Sequence, residues 1–143
     1  MNVKAWKLIY CWKSLNYRRA FIVGTDLDVF VHYNDSLGKT VTPVIGKLFC
    51  FSNKEDVKNY LEKYYCSDFN NAHIKILYGT AFNIGYPKII ATYVNDFLRF
   101  WESKNKKKKI TVHTNRIPVG TISCSAFKVE KIYGKDFKLL ETI

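Results

Sequence analysis

The stretch that most constrains the fold is Gly46 to Tyr65, GKLFCFSNKEDVKNYLEKYY. Leu48, Phe49, Cys50 and Phe51 form a short apolar run of the kind a buried strand uses, and it leads straight into a helical pattern. Ser52 followed by Glu55 matches the S-x-x-E capping box, whose two members satisfy backbone donors that a helix start leaves open. Val57, Tyr60, Leu61 and Tyr64 fall at i, i+3, i+4 and i+7 and share one face, while Lys54, Lys58, Glu62 and Lys63 cover the other. A strand feeding an amphipathic helix predicts a helix laid on a sheet. The unit carries no chemistry of its own.

The remainder supplies strands for that sheet. Val3 to Cys11 reads as a first strand with Lys4 and Lys7 turned outward, followed by Arg18 to Thr25 and Asp28 to Tyr33, runs dominated by β-branched and aromatic residues. Asn34 to Lys39 is a turn cluster, and Thr40 to Val44 is a short strand that Pro43 confines to an edge. Ser67 to Asn71 is a loop and Ala72 to Tyr78 a strand. Gly79 to Pro87, GTAFNIGYP, is predicted to be an irregular aromatic loop. Pro87 then leads into a second helix, in which Val94, Phe97, Leu98 and Trp101 repeat the helical spacing and Thr92 is a possible cap. Ile110 to Thr114 is a short strand, Asn115 to Gly120 a turn, and Thr121 to Tyr133 a long strand. Its alternation slips after Ala126, as at a bulge or where both faces are covered. Lys135 to Ile143 adds an edge strand. The expected fold class is α+β: one domain over residues 1–143, an antiparallel or mixed sheet with two helices packed on one face.

A chain of 143 residues is long enough to bury roughly 70% of its unfolded surface, and 48% hydrophobic content provides the core. Lys4, Lys7 and Lys13 interrupt the apolar N-terminus, so no export signal is expected, and no run approaches the length of a membrane span. The expected location is the cytoplasm, with no membrane partner. Cys11, Cys50, Cys66 and Cys124 have no C-x-x-C spacing and read as small buried hydrophobes; a zinc site with His32, His73 or His113 lacks paired ligands.

The net charge of +11 attracts phosphate, whether in nucleic acid, at a membrane surface or in a small polyanion. Nineteen Lys against four Arg also fits the compositional drift of an AT-rich coding sequence. Phosphate-cradling glycine loops and the nucleophile elbow are missing from the sequence. Two-histidine phosphoesterases need paired H-x-[ST] tripeptides, but here the histidines precede Tyr33-Asn34, Ile74-Lys75 and Thr114-Asn115. No paired loop carboxylates stand at a catalytic spacing. The expectation is a binding protein with no cofactor and no catalytic residue.

Base stacking needs flat aromatic faces, and phosphate capture needs Arg, Lys or backbone N–H groups. Phe82, Asn83 and Tyr86 in the glycine-rich loop, Arg116 in the NRIPVG turn and Arg99 on the second helix are the candidate ligand-binding residues. An Arg retained among so many Lys is of interest because its planar fork holds two phosphate oxygens. Each has a plainer alternative: Phe82 and Tyr86 packed under the loop, Arg116 an ordinary turn residue, Arg99 a solvated helix position. Lys106, Lys107, Lys108 and Lys109 are either a solvated connector or a phosphate-backbone contact for nucleic acid.

At Leu48 to Phe51, Gly79 to Phe82, Phe97 to Trp101 and Pro118 to Ile122 the chain resembles small proteins carried by bacteriophages and prophages, and among these the Thoeris anti-defence proteins. The resemblance covers about half of the chain. It implies a homo-oligomer that binds cyclic ADP-ribose-type or cyclic oligonucleotide immune signals without cleaving them. It further implies that Phe82 stacks on a base while Arg116 and Arg99 hold phosphates. Two other readings stand beside it: a basic inhibitor that binds nucleic acid or a defence effector directly, and a nucleotide-processing enzyme.

Overall fold

The computed structural model describes residues 1–10, 13–14, 32–43, 46–64, 74–91, 114–116 and 118–143. Its centre is β1 (Val3–Tyr10), flanked by β5 (Ile74–Phe82) on one side and β4 (Leu48–Phe51) on the other. β9 (Ala126–Gly134) extends the sheet beyond β5, and β8 (Thr121–Cys124) extends it beyond β4. The β10 strand (Leu139–Thr142) forms an edge on β9, where β3 (Thr40–Val41) also pairs, and β2 (Lys13–Ser14) pairs with β1. All of these pairings are antiparallel. β6 (Ile89–Ala91) and β7 (Thr114–Arg116) make a separate two-stranded ladder. Among the described residues there is one helix, α1 (Lys54–Tyr64). The α+β class and the edge position of the tail strand therefore hold. Arg18 to Thr25, most of Asp28 to Tyr33, and the second helix with Val94, Phe97, Leu98 and Trp101 lie outside the described residues.

β8 and β9 follow each other in the chain yet pair with strands on opposite sides of β1. They are separated by Ser125 alone, so the sheet must curl into a half-barrel for one run of chain to serve both sides. The Ser125 amide donates to the Phe82 carbonyl at 2.9 Å, and Gly85 and Ser123 exchange two backbone hydrogen bonds of 2.9 Å. These bonds fasten the end of β5 to β8 at the corner. The slip in alternation expected after Ala126 thus has two sources. The first is this corner at Ser125. The second is a bulge between β5 and β9: Tyr78 faces Lys131 and Gly79 faces Val129, leaving Glu130 as the extra residue.

The inner face collects Ala5, Ile9, Leu48, Cys50, Leu77, Ala81, Ile122, Cys124, Phe127, Val129 and Ile132, closed by Tyr33, all buried. At about 1.5–3 kcal/mol for each large apolar side chain removed from water, this cluster supplies most of the driving force of the described fold. Cys50 and Cys124 are buried here, as their reading as small hydrophobes expects, and Cys11 and Cys66 lie outside the described residues. Lys7 corrects another expectation. Residues three apart on a strand face opposite sides, so Lys4 and Lys7 cannot both point outward. The Lys4 side chain is 54% exposed, whereas Lys7 is wholly buried and its Nζ donates to the Phe49 carbonyl at 2.6 Å. Buried charge needs such partners.

α1 lies on the outer face over β1 and β4, with Val57, Tyr60 and Leu61 buried and the Tyr60 ring 5.5 Å from that of Phe51. Its cap is Asn53, not Ser52: Asn53 Oδ1 accepts from the Asp56 amide at 2.9 Å, and Asn53 Nδ2 donates to the Asp56 carboxylate at 2.7 Å. The amide of Ser52 is turned instead to the Gly120 carbonyl. Asn caps as well as Ser does, and both lie three residues before a helical N–H; the side-chain bond to the helix start is made by Asn53.

The predicted loop at Gly79 to Pro87 also needs correction, since its first four residues complete β5. Gly79 acts here through its missing side chain. A Cβ at this position would collide with the Lys128 carbonyl, so the strands close on each other at the bulge only because residue 79 is glycine. The segment after Pro87 begins with β6 and not with a helical turn. Asn115 and Arg116 belong to β7, which shortens the predicted turn to Pro118–Gly120.

Candidate ligand-binding surfaces

Three of the five predicted ligand-binding residues stand together where β5 ends. Phe82 is half-buried, and its carbonyl accepts both the amide and the hydroxyl of Ser125. Asn83 follows with φ 54°, a left-handed conformation that Asn tolerates better than most residues. Its Nδ2 donates to Ser125 Oγ at 3.0 Å, and its backbone N–H points to Asn2 Oδ1 at 3.4 Å. The Ile84 amide meets the Met1 carbonyl at 3.3 Å, and Gly85 is clamped on Ser123. Tyr86 emerges from this clamp 73% exposed, the one aromatic ring among the described residues that is mostly open to solvent.

Arg116 enters by a different route. Its backbone lies opposite Ile89 in the β6–β7 ladder, and Ile89 is three residues beyond Tyr86. Three extended residues and one strand spacing put the two backbones within about 15 Å. Arg99 and Lys106 to Lys109 lie outside the described residues. A hollow in the described surface does not involve these residues. It is a depression of about 190 Å³ lined by Asn34, Asp35, Ser36, Leu37, Ile132 and Glu141. Two carboxylates at its rim oppose a phosphate, and it is smaller than the usual ligand site of about 300–1,000 Å³.

A second surface escaped the sequence reading. On the outer face, beyond the half that α1 covers, the Trp6 ring lies 4.6 Å from Tyr78, 5.6 Å from Tyr133 and 5.9 Å from Phe137. All four rings are half-buried. Cations stand over them: Lys54 and Lys58 at 5.0 and 5.4 Å from the Phe137 centroid, and Lys131 at 5.9 Å from that of Tyr78. These distances are within cation–π range. Beside this group, Lys4 Nζ contacts both Glu130 oxygens at 2.6 Å and Thr80 Oγ1 at 2.9 Å, while Thr80 donates to Glu130 at 2.7 Å. The hydrogen bond from Lys4 holds the Glu130 carboxyl below the usual glutamate range. Partial burial works against this, while the Thr80 bond and the charges of Lys4 and Lys128 add to it.

The signal that locates this surface is strand parity. Placing Lys4 outward puts Trp6 outward too, and the register then lines Trp6 up with Tyr78 and Tyr78 with Lys131. Among the described residues no group of His, Cys, Asp or Glu could hold a metal ion, and no helix is long and apolar enough to cross a membrane. Comparisons with protein-family models, curated proteins and solved structures find no match to this chain.

Proposed function

We propose that this protein binds a small nucleotide-derived anion at the end of β5 and withholds it chemically unchanged. In that reading it is a phage anti-defence protein acting in the host cytoplasm as a homo-oligomer, and its ligand is a cyclic ADP-ribose-type or cyclic oligonucleotide immune signal. The observation that carries the reading is the Tyr86 ring, 73% exposed directly after a backbone held at Ile84 and Gly85. An open ring on a fixed backbone can stack on a base with little ordering cost. Asn83 adds amide donors and acceptors beside it, and the net charge of +11 draws the phosphates. Arg116 and Arg99 are the phosphate ligands in the proposal.

Isothermal titration with cyclic ADP-ribose isomers and cyclic dinucleotides tests it, followed by denaturation and recovery of the ligand. Saturable binding, intact ligand on release and a loss of affinity of roughly tenfold in Tyr86→Ala are the expected results. No heat with any of these ligands overturns the reading. Recovery of a degraded ligand, with multiple turnover, would transfer the protein to the nucleotide-processing class.

A further inference from the structure

We propose that the outer sheet face built from Trp6, Tyr78, Tyr133 and Phe137 is a binding surface for single-stranded nucleic acid. This is a different site and a different ligand from the reading above, and it stands independently of it.

Three observations carry the proposal. The first is the arrangement of rings and charges. Trp6 has three aromatic neighbours within 6 Å on the half of the face that α1 leaves bare, with Lys54 and Lys58 at the Phe137 end and Lys131 at the Tyr78 end. Single strands are held by this combination of stacking faces and backbone-tracking cations, whereas a duplex hides its base faces.

The second observation concerns charge that is left over. Among the described residues Lys54 and Lys131 have no carboxylate partner, and Lys58 has only a 3.9 Å contact to a Glu55 side chain that is 75% exposed. Lys54 also occupies the first position of α1, where the helix dipole disfavours a cation. The carboxylates nearby are engaged elsewhere: Glu130 with Lys4 and Thr80, Asp136 with the Lys138 amide, and Asp56 with the cap residue Asn53. Lys4 offsets Glu130, while Asp56 and Asp136 keep their charge, so the positive charge offered to a polyanion is local to Lys54, Lys58 and Lys131 over the Phe137 and Tyr78 rings.

The third observation is backbone strain. Three described residues other than glycine have positive φ: Asp35, Asn83 and Phe137. Asp and Asn are the residues that tolerate this region, but Phe is not, and Phe137 at φ 63° stores strain in the turn between β9 and β10. That conformation holds the ring against Trp6 and beneath Lys54 and Lys58. A turn serving the hairpin alone would be better made with Gly or Asn.

The test is fluorescence anisotropy of labelled oligo-dT and oligo-U of about twelve nucleotides, with a duplex of equal length as comparator, from about 50 to about 200 mM salt. The full chain is expected to bind both single strands and to prefer them to the duplex. The surface variant Lys54→Ala/Lys58→Ala/Lys131→Ala keeps the wild-type melting curve, binds roughly tenfold or more weakly, and flattens the salt slope by about two. Trp6→Leu weakens binding roughly 5- to 100-fold. Tyr86→Ala leaves oligonucleotide binding intact, which separates this site from the one at the end of β5. The proposal is overturned if the triple-lysine variant binds like wild type, or if the duplex binds as tightly as the single strands. It fails equally if Lys106 to Lys109 prove to be the only lysines that matter, or if the face binds anionic vesicles and no oligonucleotide.

Discussion

The two faces of the curled sheet are made by alternate residues of the same strands, yet they differ in kind. Inside, β1 contributes Ala5 and Ile9, β5 contributes Leu77 and Ala81, and β9 contributes Phe127 and Val129, all buried. Outside, the same strands contribute Lys4, Trp6, Tyr78, Thr80, Lys131 and Tyr133, which keep contact with water. The inner set is mainly aliphatic, with Phe127, Tyr33 and two cysteines, and Val3, Leu37, Val41 and Ile84 pack against it. The outer set is aromatic and cationic, and α1 covers only part of it. The difference divides the work: the inner face is core throughout, while the outer face is core under α1 and only half-buried around Trp6.

The hardest test of that division is a matched pair of truncations. Phe127→Ala empties a fully buried site and is expected to cost about 3–5 kcal/mol, while Tyr133→Ala removes a half-buried ring and costs about 1–2 kcal/mol. Urea midpoints at unchanged m report both values. Equal losses would mean that the outer face is core as well. Gly79→Ala comes next. Its methyl group meets the Lys128 carbonyl across the bulge, so the strands must part, at an expected cost of about 1–3 kcal/mol. A neutral result would show that the bulge is free to relax.

What the sequence disclosed divides along similar lines. The β4–α1 unit was legible because its information is local: an apolar run, a cap and a helical repeat all within twenty residues. Phe82, Asn83 and Tyr86 stand together at the end of β5 because they are near neighbours in the chain. Gly79 was misread because glycine usually interrupts a strand, and its value here lies in a partner strand fifty residues away. The outer-face rings come from positions 6, 78, 133 and 137, and only the register of β1, β5 and β9 brings them together. Strand parity puts Trp6 on the same face as Lys4 and opposite to Lys7, so reading both lysines as outward leaves the face of Trp6 undefined. The inward lysine is a buried charge, which hydrophobic patterning does not anticipate.

Phe137→Asn separates stability from binding. Asn adopts the left-handed conformation at lower cost, while the ring it replaces is only half-buried, so the two changes offset each other to within about 1 kcal/mol. The melting temperature is expected to stay or to rise, and oligonucleotide affinity to fall. A variant that loses stability instead would make Phe137 a packing residue and would weaken the claim that its strain serves a surface.

The smallest effect is that of the Lys4–Glu130–Thr80 group, and pH exposes it. The Glu130 carboxyl titrates below its unfolded value because the folded state donates hydrogen bonds to its charged form, first from Lys4. Its contribution is therefore fully present above the unfolded value and is lost as pH falls through the folded one, below about pH 5. With the Lys4 side chain 54% exposed, solvent screens the pair and limits the contribution to less than about 1 kcal/mol. Glu130→Gln keeps the shape and Thr80 as a neighbour while removing the charge. Denaturant midpoints compared at neutral pH and in acid should show a small deficit in the variant that shrinks on acidification, as the wild type loses the same interaction. A deficit independent of pH would mean that Glu130 matters as the extra residue of the bulge and not as an anion. The outer face would then be held by backbone geometry, with its cations correspondingly freer to meet a phosphate.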